Sequence, residues 1–497
     1  MFRHPAWAPP APPLELTLTR SGGTDTFILK YNTLGTAQWV RKIGGLGNDL
    51  SSGGICIDAI GNFYVAGEYA SNPVTIFDTD NETPFVDLAN SGTATNDVYI
   101  VKYNASGVPQ WVRKIGGGLV DSPVTISVDP SGNVYTTGTF NSNPITVFNT
   151  DNFTAFTTIA TTGQDDVFIV KHDTSGTPLW ARKVGGTTVE SAAGLSVDSS
   201  GNVYITGSYA SATFRVFNTD NTTNFATLAN SGTATTDVFV VKYNTSGTPQ
   251  WVRKIAGTSS DTAAGVSVDS SGNVYVGGSY SSSPVTIFNT DNTTSFTTLS
   301  RTGTQFNVFL VKYDTSGTPL WARKIAGSSS QTATDVFADS SGNVCITGSY
   351  GSNPLTIFNA DNTTSFVNLT NSGTANVFLA KYNTSGTPQW VRKIGGSSSD
   401  NSRRLFVDSS GNVHIVGEYN SDTLTIFNTD NTSSFVDLTN SGPSDGYVVK
   451  YNTSGTPQWA RGINGFGSET LRGVSVDGSG NVLVVGNYTS NPLTIPI

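Results

Sequence analysis

Seven tryptophans stand in a W-x-R-K/G-I/V frame, at Trp39, Trp111, Trp180, Trp251, Trp321, Trp390 and Trp459, spaced 72, 69, 71, 70, 69 and 69 residues apart. So regular a period over 497 residues overrides the two or three domains such a length would otherwise imply, because repeats pack on their neighbours as one body. A second series agrees: Asp58, Asp129, Asp198, Asp269, Asp339, Asp408 and Asp477 each precede a short turn ending in Gly-Asn. Trp7 is the outlier. It lies in a start, MFRHPAWAPPAPP, whose prolines prevent a regular helix and which has no apolar signal-peptide core. The expected organisation is a Pro-rich extended arm over 1–13 and one repeat domain over 14–497.

The fourth copy shows what one unit folds into. Residues 264–269 (AGVSVD) are apolar and β-branched, 270–273 (SSGN) form a turn, and 274–280 (VYVGGSY) answer as the second arm of a hairpin. Residues 237–243 (DVFVVKY) and 249–255 (PQWVRKI) likewise flank the turn NTSGT. Each copy thus supplies four strands, A to D from the inside out, and none of it has helical periodicity. The ends decide how the units join. Residues 14–20 (LELTLTR) resemble the segment before strand C, and 492–497 (PLTIPI) the segment after strand B. One blade therefore takes C and D from the front of the chain and A and B from the back. An open solenoid would leave both halves with bare edges, whereas ring closure pairs them. The predicted fold is all-β: a seven-bladed β-propeller of four-stranded antiparallel blades closed by this interlock.

The unit DVFVVKYNTSGTPQWVRKIAG…VSVDSSGNVYVGGSY resembles the SBBP-type β-propeller repeat, from about residue 24 to about residue 488. The resemblance implies a seven-bladed propeller, brings no catalytic motif, and fits a surface or secreted setting. This chain departs from a common four-stranded blade in length, roughly 70 residues against about 40–45. The surplus, PVTIFNTDNTTSFTTLSRTG in copy four, reads as a hairpin added between strands B and C. B–C and D–A connections emerge on one face of a propeller. The hairpins are therefore expected to crown that face, with complete tips at Asp80, Asp151, Asp220, Asp291, Asp361 and Asp430 and a seventh at the seam.

Several recurring residues invite a chemical reading. The tips place Asn and Asp two apart, as in Asn149 and Asp151, Asn218 and Asp220, Asn289 and Asp291, and Asn428 and Asp430. These are candidate ligand-binding residues, although such spacing is first of all that of an Asx-rich turn. Asn221, Asn292, Asn362 and Asn431 also open N-x-S/T triplets, acceptors for glycan on a eukaryotic secretory route. Ahead of strand A stand Asp49, Asp121, Glu190, Asp261, Gln331, Asp400 and Glu469. A carboxylate there most often caps its own turn, while a ring converging at the channel mouth would suit Ca²⁺. Twenty of the 27 basic residues recur in the W-x-R-K frame or on strand C, which reads as pairing between blades and blunting of an exposed edge. Phe288, Phe296 and their equivalents are either staples or platforms.

Catalysis needs a constellation that breaks the sevenfold pattern at one place. His4, His172 and His414 fall in different elements, and the best asymmetry is Arg403 and Arg404 beside Asp400. Cys56 and Cys345, read as Val-like positions, are expected as buried thiols and not a disulfide. A net charge of −9 argues against nucleic acid and anionic membranes, and no apolar run approaches the roughly 18 residues of a membrane span. The expected function is a non-enzymatic binding or display scaffold for repetitive glycan or protein ligands, without a cofactor unless Ca²⁺. Such a protein would be extracellular or exposed on a cell or virion. The alternatives are an architectural component of a layer, fibre or virion anchored by the arm, and an enzyme at the channel mouth.

Overall fold

The computed structural model describes residues 15–497 except residue 94, so the expected arm and Trp7 lie outside the described residues. All regular structure in it is β-strand. Blade four is representative: strand A, Asp261–Val268, pairs with B, Val274–Tyr280, then C, Asn307–Tyr313, then D, Pro319–Gly327, all antiparallel. Strand B is buried along its whole length. Both faces of the sheet meet neighbouring blades, so a continuous apolar and small-residue run replaces the alternation of a one-sided sheet. A bulge between Ala263 and Gly265 bends strand A where it lines the central channel.

The interlock closes the ring. Strands Glu469–Val476 and Val482–Tyr488 from the back of the chain continue into Asp25–Tyr31 and Ala37–Gly45 from the front. Seven apolar clusters alternate with the blades. In one of them Tyr275, Leu310 and Trp321 of blade four meet Val336, Ile346 and Phe378 of blade five. The core is therefore seven inter-blade layers and not one centre. Cys345 is buried and Cys56 half-buried, and both are free thiols. The reading of them as Val-like is corrected: the ladders align Cys56 with Ser127, Ser196 and Ser267, and Cys345 with Tyr64, Tyr135 and Tyr204.

The crown is corrected more substantially. Each added hairpin lies flat against the free edge of strand D in the preceding blade, extending that sheet to six strands. Leu355–Phe358 of the fifth hairpin, for example, pairs through Ile357 and Thr356 with Ile325 and Ala326 of blade four. The reason is the edge itself: a bare strand D would expose unpaired N–H and C=O groups, which the next hairpin covers. The hairpins thus form a rim. At the seam the seventh hairpin is assembled from both ends of the chain, Glu15–Leu18 against Leu493–Pro496, and among the described residues strand Pro457–Ile463 alone has no fifth strand on its edge.

Candidate functional site

The W-x-R frame belongs to the architecture. In all seven blades the Arg Nε donates to a glycine carbonyl in the C–D turn of the next blade, at 2.5–2.9 Å. Arg253 also donates through Nη2 to the Ser316 carbonyl at 2.7 Å and stacks over Trp251, 5.0 Å from the ring centroid. Five of the seven strand C lysines reach the same turns, as Lys242 does to the Thr315 carbonyl at 3.2 Å. The basic side chains therefore staple blade to blade mostly through backbone carbonyls. The edge they were expected to blunt is covered by a hairpin in six of the seven blades.

Each hairpin tip closes on itself. In the fourth, the Asp291 carboxylate accepts the N–H groups of Thr293 and Thr294, both at 2.9 Å, and the Thr294 hydroxyl at 2.7 Å. Those bonds, the Thr293 N–H first, hold its pKa down at about 2. Asn289 donates to the same Thr294 hydroxyl at 3.1 Å. Asp151, Asp220 and Asp430 are arranged alike, with Asn149, Asn218 and Asn428 beside them. The Asn and Asp of the tips thus make the turn. The glycan-acceptor triplets have a second use: Asn292 and its counterparts sit at positive φ, and their Nδ2 groups donate to carbonyls of the preceding strand D, Val252 for Asn292 at 3.0 Å. The nitrogen a glycan would need is the one that fastens the hairpin.

The two phenylalanines of each hairpin divide the roles left open between them. Phe288 lies beneath the Lys254 ammonium at 4.5 Å, and five equivalents do the same at 4.1–4.8 Å, so this ring is a staple. The other ring faces outward. Phe85, Phe156, Phe225, Phe296, Phe366 and Phe435, on the outermost strand of each covalent hairpin, are 36–39% exposed. Six rings at the same position and the same exposure form a regular aromatic array around the rim. Beside Phe156 a groove of about 770 Å³ opens between that hairpin, Leu179 and Trp180 of strand D, and the neighbouring tip at Asp220 and Asn221.

The acidic series ahead of strand A does not converge on the channel. All seven residues are fully buried. Each carboxylate turns into its own blade: Asp49, Asp121, Asp261, Asp400 and Glu469 accept the hydroxyl of Ser71, Ser142, Ser282, Ser421 and Ser490, at 2.6–2.9 Å. Glu190 accepts the Ser211 N–H at 3.2 Å. Burial nevertheless pushes Asp121, Glu190 and Asp261 up to about 7. These are turn caps, and the ring is not assigned as a cation site. Among the described residues no three His, Cys, Asp or Glu side chains gather in a metal-holding group.

The central channel, about 300 Å³, is lined by strand A from every blade. Its asymmetry lies where Arg404 reaches across to the Val124 carbonyl at 2.8 Å, with Asp335 and the close-packed Phe337 and Phe406 beside it. Arg403 pairs with Glu418 through two bonds of 2.6 and 2.7 Å. Asp400 is held by Ser421 and does not join them. His172 is buried, its pKa lowered to about 3 by burial first and Arg113 second, and His414 pairs with Asp408 at 3.2 Å. Among the described residues, His172 and His414 stand apart from Arg403 and Arg404.

One set of residues escaped the sequence reading. Asp25, Asp97, Asp166, Asp237, Asn307, Asn376 and Asp445 open strand C and are fully buried. Each lies 24 positions before the strand A series, a constant spacing in all seven copies that carries the signal.

The SBBP β-propeller repeat matches residues 110–146, 250–279 and 389–422, each running from strand D into the next blade. Three segments of the chain carry the SBBP β-propeller repeat. An uncharacterized WD repeat-containing protein of Acanthamoeba polyphaga mimivirus is 27% identical over 508 residues, 92% of this chain and 36% of the relative. The regulatory protein FlaEY of Caulobacter vibrioides is 34% identical over 117 residues, 23% of this chain and 12% of that protein. The chain therefore spans well under half the length of these curated relatives. Among solved structures, the Dos1 propeller superposes with a TM-score of 0.37 at 10% identity over 95% of each chain. A gluconolactonase from Xanthomonas campestris gives 0.27 at 11% identity, over 67% of this chain and 86% of that one. Blade count and architecture rest on this chain's own strand order.

Proposed function

We propose that this SBBP-repeat protein is a rigid, non-enzymatic binding scaffold that engages a repetitive partner, a surface glycan or an ordered array of protein subunits, through its rim. The observation that carries this reading is the ring of six outward phenylalanines. Each ring is more than a third exposed although its hairpin is already fastened to the neighbouring blade by Asn292 and Phe288 or their equivalents, so fastening does not account for the exposed face. Weak aromatic contacts repeated six times around a stiff ring suit a repeated ligand, because linked sites multiply affinity without any single strong contact. A repeat chain related to the mimivirus WD-repeat protein fits an interaction role.

A glycan-array screen of the intact chain, run with Ca²⁺ and again with a chelator, tests the glycan form of the proposal. Binding that is lost when the six rim phenylalanines become serine supports it. Binding that survives that change, or that depends on Ca²⁺ and on the tip aspartates, moves recognition away from the rings. A blank in both conditions leaves the protein-array form, checked by the same variant against an ordered protein surface.

A further inference from the structure

The strand C and strand A acids meet at the blade junctions. At each one the N–H of the strand A residue donates to the carbonyl just before the strand C residue, as Asp121 does to Asn96 at 2.9 Å and Asp261 to Thr236 at 2.8 Å. This bond brings the two side chains together in five carboxyl pairs: Asp25/Asp49, Asp97/Asp121, Asp166/Glu190, Asp237/Asp261 and Asp445/Glu469. Two like charges in a dry interface would repel strongly. Something must relieve them.

The fourth-to-fifth junction shows what. There the pair is Asn307/Gln331. Asn307 Oδ1 accepts the Thr302 N–H at 2.6 Å, just as Asp97 Oδ2 accepts the Ser91 N–H at 2.7 Å. The other terminal atom, Asn307 Nδ2, donates to Gln331 Oε1 at 2.9 Å. Its counterpart in the acid junctions is the Oδ1 of Asp25, Asp97, Asp166 and Asp237, and all four are buried without a hydrogen-bond partner. A proton on that oxygen would reproduce the amide's bond.

Charge balance points the same way. Lys114 faces Asp97 at 3.4 Å and Lys183 faces Asp166 at 3.8 Å, with Tyr69 on the other side of Asp97 and Ser142 on Asp121. Lys42 and Tyr488 face Asp25, and Lys254 and Tyr209 face Asp237. Two carboxyls and one ammonium become neutral with one proton. At the amide junction, where no acid needs it, Lys324 is half-exposed, while Lys42, Lys114, Lys183, Lys254 and Lys393 are buried. The Asp445/Glu469 junction has Gly462 in place of the lysine and only the backbone N–H groups of Ser441 and Gly465 on Asp445.

We propose that at four of the seven blade junctions, Asp25/Asp49, Asp97/Asp121, Asp166/Glu190 and Asp237/Asp261, the two buried carboxyls share one proton, an acid–carboxylate hydrogen bond that ties neighbouring blades and is released to solvent as pH rises. The affected groups bind protons more tightly folded than unfolded: burial lifts Asp25 to about 6 and Asp121, Glu190 and Asp261 to about 7, and the partner carboxyl adds to the rise. Unfolded Asp and Glu titrate near 4. The stabilisation is therefore complete below about pH 4 and lost as pH climbs through 6 to 7.

The test is the melting temperature from pH 5 to pH 8, with the proton difference between folded and unfolded chain at pH 6. The wild type is expected to lose on the order of 5 °C across that range. Asp97→Asn with Asp121→Gln, copying the natural amide junction, should flatten the fall and lower the protons held on folding by about one. Asn307→Asp with Gln331→Glu should steepen it and raise the count by about one, which keeps the test open if the first variant folds poorly. A pH slope and proton count unchanged in both variants would overturn the proposal. So would a Ca²⁺-dependent rise in melting temperature that the amide variant abolishes, since the pair would then hold a cation.

Discussion

The blade junctions and the rim are built from the same repeat, and they treat their side chains in opposite ways. At a junction the recurring Arg, Lys and Trp turn inward onto the neighbouring blade, Arg253 donating through both Nε and Nη2 to the next C–D turn. At the rim the hairpin fastens itself with Asn292 and Phe288 and then leaves Phe296 39% exposed. Sevenfold repetition at the junction follows from closing a ring. Sixfold repetition of an exposed ring has no such cause, and recurrence therefore separates into residues that make the propeller and residues it presents.

Mutations that fall on one side of this division should leave the other alone. The largest effect is expected from Arg253→Ala, which removes three charge-assisted bonds and the stack on Trp251. Its cost is about 3 kcal/mol, read by chemical unfolding, with ligand binding intact in the folded fraction. Asn292→Ala should cost about 1–2 kcal/mol, because it removes the bond to the Val252 carbonyl and places alanine at φ 56°. Amide exchange should localise that loss to strands Val285–Phe288 and Ser295–Leu299. The seam sharpens the comparison: among the described residues Glu15–Leu18 and Leu493–Pro496 pair with each other and not with a strand D, and they should exchange faster than any covalent hairpin in the unaltered protein. The smallest stability effect is expected for Phe296→Ser, within about 0.5 kcal/mol.

Much of the ring was legible because it depends on local pattern. The tryptophan period, the Gly-Asn turns and the split blade at the two ends all follow from spacing and strand propensity. The placement of the hairpins was not. A crown and a rim use the same local hairpin, and the difference lies in a pairing between Ile357 and Ile325 in different repeats. The positive-φ asparagines were visible as turn residues, but their reach to strand D, 40 positions earlier in Asn292 and Val252, is tertiary. The acids before strand A were found and read first as turn caps, but their full burial was not foreseen, since a charged residue at the head of a strand reads as exposed. The signal against that was the serine that follows 21 positions later in six of the seven copies, Ser142 after Asp121 for instance, and binds the carboxylate inside its own blade.

The central claim is that the rim rings act together on a repeated ligand. It is tested most directly by removing Phe85, Phe156, Phe225, Phe296, Phe366 and Phe435 one after another and measuring retention on a dense ligand surface and binding of the same ligand as a monomer. Retention should fall multiplicatively with each ring removed, while monomer binding stays weak and the melting temperature stays constant. Retention unchanged after all six substitutions, or a loss confined to one of them, would contradict a shared rim.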